Sequence, residues 1–201
     1  MSTRPKVILK FAMSQDGFIG NPNKQVWLTN PISKRLVHKW RSEIDAIMVG
    51  TQTALLDNPK LTNRLYFGTS PLRLILDRQL RLPKTLSIYD DSVNTYIITE
   101  KSVDQDSFKR TRYLQFNFDE TLIPNCLEWL FQNGQNLIMI EGGAQLLNSF
   151  IGLNLWDEAR VFSTSTILNE GIKAPKLLMD PQHRYQIGSD YLSIYHNFKV
   201  K

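Results

Sequence analysis

Asn136-Leu137-Ile138-Met139-Ile140-Glu141-Gly142-Gly143-Ala144 joins an apolar run to a pair of glycines and points to the fold class. A short apolar run bounded by polar residues, with no polar face of its own, has the pattern of a strand covered on both sides. The two glycines then allow the backbone a tight turn, and Leu146, Leu147, Phe150 and Ile151 follow at helical spacing. A buried strand turning into a helix is the repeating unit of a parallel α/β sheet. Similar strands are predicted earlier in the chain, at Val7 to Met13 before the turn Ser14-Gln15-Asp16-Gly17, and at Asp45 to Gly50, Arg73 to Asp77 and Thr95 to Thr99. One helix is predicted from an Asn30 cap with Pro31 at its first position to about Glu43, with Ile32, Leu36, Val37 and Trp40 recurring at helical spacing. A second covers Glu120 to Phe131. The tail is richer in β pattern, at Glu158 to Phe162 and Tyr191 to Tyr195, and is expected to add antiparallel strands at one side. No repeat, low-complexity tract or linker interrupts the chain, so residues 1–201 read as one domain.

Composition narrows the function classes. With 201 residues, 42% of them hydrophobic and 21% charged, the chain can bury a full core and is neither disordered nor fibrous. No stretch approaches the roughly 18 apolar residues of a membrane helix. Met1 to Lys6 also lacks the basic-then-apolar order of a signal peptide, so the expected location is cytoplasmic, with no membrane partner. A lone cysteine, Cys126, forbids an intramolecular disulfide or a multi-cysteine metal site, and it lies in a helical run as a core residue would. His38, His183 and His196 are far apart in sequence, and no metal site is expected. The net charge of +5 is uneven: residues 1–84 hold 14 Lys/Arg against 5 Asp/Glu, the remainder 10 against 14. These bases are dispersed among apolar residues, which speaks for small phosphorylated ligands and solvated surface rather than for nucleic acid.

Thr51, Thr53, Asp77 and Glu141 fall at the carboxyl ends of predicted strands, the edge at which open α/β sheets bind ligands. Gly142 and Gly143 would let a phosphate approach the backbone and the free N–H groups of the following helix, though the same pair also serves as a simple tight turn. GxGxxG and Walker sequences are absent. Lys10 interrupts an apolar strand. Its ammonium needs an anion, from a substrate or a carboxylate such as Glu141, unless its stem alone is packed and its charge reaches water. In the loop Asp57-Asn58-Pro59-Lys60-Leu61-Thr62-Asn63-Arg64, the arginine fork suits a phosphate and equally suits solvent. Arg41 shares a helix with Lys34, Arg35, His38 and Lys39, which also reads as a solvated face.

Taken in order, the segment Arg4 to Lys10, Ser14 to Gly17, Trp27-Leu28-Thr29, Arg41, Asp45 to Gly50, Thr53, Asp57 to Arg64, Pro71 to Asp77, Glu141-Gly142-Gly143 and Asp157-Glu158 resembles the reductase domain of riboflavin biosynthesis. That domain is usually the C-terminal half of a bifunctional deaminase/reductase, and its fold is similar to dihydrofolate reductase. The resemblance covers about residues 4–178. It implies a single-domain dihydrofolate-reductase-like fold, with a mostly parallel central sheet flanked by helices, working as a homodimer. The implied reaction is NADPH-dependent reduction of 5-amino-6-(5-phosphoribosylamino)uracil, a phosphorylated pyrimidine, to its ribitylamino product. Carried over by position, Trp27, Thr53, Asp57 and the stretch Gly142, Gly143, Ala144, Gln145 and Leu146 would bind NADPH. Arg78 stands at a cofactor position that is often Ser, and would face the cofactor's 2′-phosphate. Gln25, Arg41, Leu61, Arg64 and Glu141 would contact substrate, Arg41 and Arg64 through its phosphate. Lys10 and Glu141 would be catalytic, orienting sugar hydroxyls or relaying a proton.

Two departures bear on the substrate. Gln25 replaces a common Ser, and Val161 to Leu168 lacks the Ala-Pro step often found on the late strand. The HxE and PCxxC zinc pattern of the partner deaminase is also absent, and no deaminase domain is expected. Alternatives consistent with the residues are a reductase of the undeaminated 2,5-diamino-6-ribosylamino-pyrimidinone 5′-phosphate or of another pterin or pyrimidine, and a non-catalytic NADPH-binding partner of a separate deaminase.

Overall fold

The computed structural model describes residues 3–104 and 108–198. Along the chain come β1 (Lys6–Met13), β2 (Phe18–Gly20), α1 (Pro31–Arg41), β3 (Ala46–Gly50), α2 (Thr51–Asp57), β4 (Leu72–Leu76) and a 3-10 turn (Ser87–Tyr89). They are followed by β5 (Thr95–Thr99), β6 (Thr111–Gln115), α3 (Leu122–Gln132), β7 (Leu137–Ile140), α4 (Ala144–Gly152), β8 (Glu158–Ser163), β9 (Ile172–Lys173), β10 (His183–Ile187) and β11 (Asp190–His196). Nine strands form one sheet in the order β10-β11-β8-β1-β7-β3-β4-β5-β6. From β8 to β6 every pairing is parallel, while β11 joins β8, and β10 joins β11, in antiparallel fashion. This is the expected α/β architecture with its antiparallel C-terminal strands.

The period of two along a strand sorts side chains between the layers. Val7, Leu9 and Phe11 of β1 face one core with Leu127 and Leu130 of α3 and Leu147 and Phe150 of α4. Ile8 of β1, Ile47 and Val49 of β3, and Met139 of β7 face the other, against Val37 and Trp40 of α1 and Ala54 of α2. Cys126 belongs to the first core, where burial pushes its thiol up to about 12, so it packs as a small apolar group. Asn30 caps α1 as expected, its side-chain oxygen accepting from the N–H groups of Ile32 and Ser33, and Pro31 occupies the first turn.

Several short elements escape the sequence reading. The seven residues of α2 have glycine as N-cap and no side-chain cap, so no local signal announces the helix. β6 is a sheet edge whose Thr-Arg-Tyr-Leu-Gln alternates only weakly, and β10 is exposed over most of its length. Pairing with β5 and β11 defines them.

Arg73 of β4 is fully buried. It donates to Thr95 Oγ1, to the carbonyls of Lys60, Ser87 and Val93, and to Asp90 at 2.8 Å. A guanidinium in the core thus ties the loop after α2 to the 3-10 turn, with its charge paired and its donors used.

Candidate active site

Register places the first two residues of the site. Leu9 of β1 lies opposite Ile140 of β7, so the next residues, Lys10 and Glu141, are neighbours. Both lie on the same face as Ile8 and Met139, beneath α1. Arg41 ends α1 above them. It donates to Glu141 through Nε at 2.9 Å and Nη2 at 2.8 Å, a bidentate pair, and through Nη1 to the carbonyl of Thr62 at 3.2 Å. Lys10 Nζ stands 3.7 Å from Glu141 Oε2. One carboxylate and two cations, all largely buried, therefore share one wall of a cleft of about 450 Å³.

The electrostatics follow from that count. Burial alone would raise the carboxyl pKa of Glu141, but attraction from Arg41 and Lys10 and the Arg41 hydrogen bonds overcome it and hold it at about 2. Burial pushes the Lys10 ammonium below its ordinary 10.5; Glu141 opposes this and Arg41 adds to it. Burial likewise raises Asp57, with Lys10 partly offsetting the effect. At neutral pH Glu141 is an anion with no proton to give. Lys10, the other titratable group of the cluster, keeps its Nζ beside this anion.

Arg41, expected to meet a phosphate, engages Glu141 and the carbonyl of Thr62 through its three guanidinium nitrogens in this structure. Arg64 differs. It lines the cleft, donates from Nη1 to Thr62 Oγ1 at 2.8 Å, and makes no carboxylate ion pair among the described residues. Leu61 beside it is buried with φ +55°, a left-handed conformation uncommon for leucine, where the loop folds back under the cleft.

Directly after Glu141 the chain leaves β7 through Gly142, at φ +112°, and Gly143, the N-cap of α4, which also lines the cleft. No side chain caps α4 or the neighbouring α2, so both helices present open N-terminal backbone at the sheet's carboxyl edge. A Cβ on Gly143 would stand 3.0 Å from Thr53 Oγ1, so glycine keeps this part of the cleft open. Ala144 starts α4, Gln145 is exposed and Leu146 turns into the core, so Leu146 offers only backbone to a ligand here. Thr53, Asp57 and Trp27 line the cleft. Trp27 is 68% exposed at its rim, with Lys34 Nζ 5.1 Å from the ring centre.

Two expected residues lie elsewhere. Gln25 is exposed and donates to the carbonyl of Asp57 at 2.8 Å, tying the 21–29 segment to the end of α2 rather than entering the cleft. Arg78 is exposed outside the cleft lining, where its Nε donates to Glu100 at 2.8 Å. The sequence reading missed His38, buried in the cleft wall, because its neighbours Lys34 and Arg35 are exposed and give that helix a solvated appearance.

A family model described as the RibD C-terminal domain matches residues 5–191. The chain is 32% identical over 174 residues to the 2,5-diamino-6-ribosylamino-4(3H)-pyrimidinone 5′-phosphate reductase of Archaeoglobus fulgidus, covering 79% of this chain and 80% of the relative. It is 32% identical over 180 residues to the riboflavin biosynthesis protein RibD of Synechocystis, covering 86% of this chain but only 48% of that protein. It thus spans about half the length of that RibD relative. Among solved structures, the diaminohydroxyphosphoribosylaminopyrimidine deaminase/5-amino-6-(5-phosphoribosylamino)uracil reductase of Thermotoga maritima matches with a TM-score of 0.82 at 24% identity, over 96% of this chain and 56% of that one. A dihydrofolate reductase of Enterococcus faecalis matches with a TM-score of 0.55 at 12% identity, over 96% of each chain. These two likenesses concern the fold.

Proposed function

Because the chain belongs to the RibD C-terminal domain family, we propose that it is the NADPH-dependent reductase of riboflavin biosynthesis, converting the ribosyl group of a 5′-phosphorylated 5-amino-6-ribosylaminopyrimidine to ribityl. One observation carries the reading: the buried Lys10–Glu141–Arg41 cluster faces the same cleft as the glycine turn Gly142-Gly143 and Arg64, which makes no carboxylate ion pair among the described residues. Its excess positive charge, beside two open helix N-termini, suits two phosphorylated ligands.

NADPH, when bound, supplies the hydride. Thr53, Asp57, Trp27 and the backbone of Gly143 and Ala144 would hold it, the open helix N-termini meeting its phosphates. Opening the sugar breaks the C1′–O4′ bond and leaves a C1′=N imine, with a proton passing from nitrogen to O4′. Hydride addition at C1′ then requires one proton at that nitrogen, and Lys10 Nζ is the cluster's donor. Glu141, ionised, accepts hydrogen bonds from sugar hydroxyls, and Arg64 takes the 5′-phosphate. Arg41 acts by holding Glu141. Arg78 would reach a 2′-phosphate only by exchanging Glu100 for it. The reading extends to a cytoplasmic homodimer, which sedimentation at micromolar concentration would test.

Two substrate forms fit this chemistry. The uracil form is the one implied by the sequence resemblance, and the name of the Archaeoglobus relative favours the undeaminated diamino form. NADPH oxidation with each ribosylamino phosphate decides between them; turnover of neither would sink the reading. Gly143→Ala is expected to weaken NADPH binding about tenfold in a fluorescence titration, about 1.4 kcal/mol, since the methyl crowds Thr53. Gly152→Ala, which meets nothing within 4 Å, serves as the unaffected control.

A further inference from the structure

Helix α1 grips the loop after α2 at two points. Arg41 Nη1 donates to the carbonyl of Thr62, and His38 Nδ1, one turn earlier, accepts the backbone N–H of Arg64 at 2.9 Å. His38 is 2% exposed, so this is a backbone donor drawn out of water and satisfied by one side-chain nitrogen. We propose that His38 is a positioning residue for Arg64: its unprotonated Nδ1 fixes the loop so that the Arg64 guanidinium faces the cleft. This rests on the preceding reading only in naming the substrate's phosphate as what Arg64 meets.

Accepting at Nδ1 requires a neutral ring with its proton on Nε2. The surroundings enforce this. Burial, then the cations of Arg41 and Arg64, hold the imidazole at about 4, with Lys34 adding to the effect and Glu141 opposing it. A protonated ring would set two donors against each other at the Arg64 N–H. The left-handed Leu61, three residues before Arg64, makes the loop path specific, and loss of the His38 acceptor would free the segment between Thr62 and Arg64.

The amide oxygen of Asn can take the place of Nδ1, whereas Phe keeps the ring volume without an acceptor. For the phosphorylated substrate, His38→Phe is expected to raise KM about tenfold with kcat within about threefold, an effect of about 1.4 kcal/mol on binding. His38→Asn should restore KM to near the wild-type value, and the dephosphorylated substrate should be insensitive throughout. Two NMR readouts need no turnover. Imidazole nitrogen shifts of the wild-type protein should show Nδ1 as the acceptor, and titration with inorganic phosphate should move the Arg64 side-chain signal in wild type and His38→Asn but not in His38→Phe. A proton found on Nδ1, or equal phosphate responses in all three proteins, would overturn the proposal. Failure of the wild type to reduce either pyrimidine would overturn only the preceding reading.

Discussion

Lys10→Met is expected to lower kcat about 10³-fold while leaving NADPH affinity within about twofold, since a positioned proton donor contributes about 10²–10⁴ to rate. Methionine keeps most of the stem's volume and removes the ammonium. The wild-type rate should fall as pH rises through the Lys10 pKa, which burial places below 10.5, and that alkaline limb should vanish in the variant. Stability should respond in the opposite direction. A lysine whose folded pKa lies below its unfolded value binds its proton less tightly in the native state, so wild-type stability rises as pH climbs from the folded value towards 10.5. Lys10→Met should lack this rise and be at least as stable as wild type near neutrality. Stopped-flow NADPH oxidation and urea melts across pH measure both effects. A variant with unchanged kcat would remove Lys10 from the chemistry.

Glu141→Gln is expected to cost about 3–5 kcal/mol of folding stability, the range for breaking a buried ion pair by removing one partner, and at least about 10² in kcat/KM. The amide keeps the shape but strands Arg41 and Lys10 as buried cations within one cluster. Glu141 is held at about 2 against an ordinary 4.5, so its stabilising contribution is complete above 4.5 and is lost as pH falls from 4.5 towards 2. The variant should lose that acid dependence. Adding Lys10→Met to it should recover part of the stability, because one of the stranded cations is removed; strict additivity in this double-mutant cycle would contradict the cluster.

Features that depend on neighbours along the chain were legible in the amino-acid order. The apolar run before Glu141 and the glycines after it specify strand, turn and helix within a few residues. Asn30 and Pro31 start α1 by local hydrogen bonding and a preset φ. Lys10, as a cation in an apolar strand, announced its need for a partner. Tertiary structure alone decided who that partner is. Glu141 lies 131 positions away, and only the pairing of β1 with β7 makes the two neighbours. It also decided that Arg41 bonds Glu141, that Arg64 lines the cleft, and that His38 is buried rather than solvated, because the covering loop is distant in sequence from α1. Gln25 and Arg78 stand at family positions where Ser is common, and their side chains turn to Asp57 and Glu100. Local propensity sets where elements begin and end, whereas the charge state of a site belongs to groups brought within a few ångströms by the sheet's register, and no single segment contains that information.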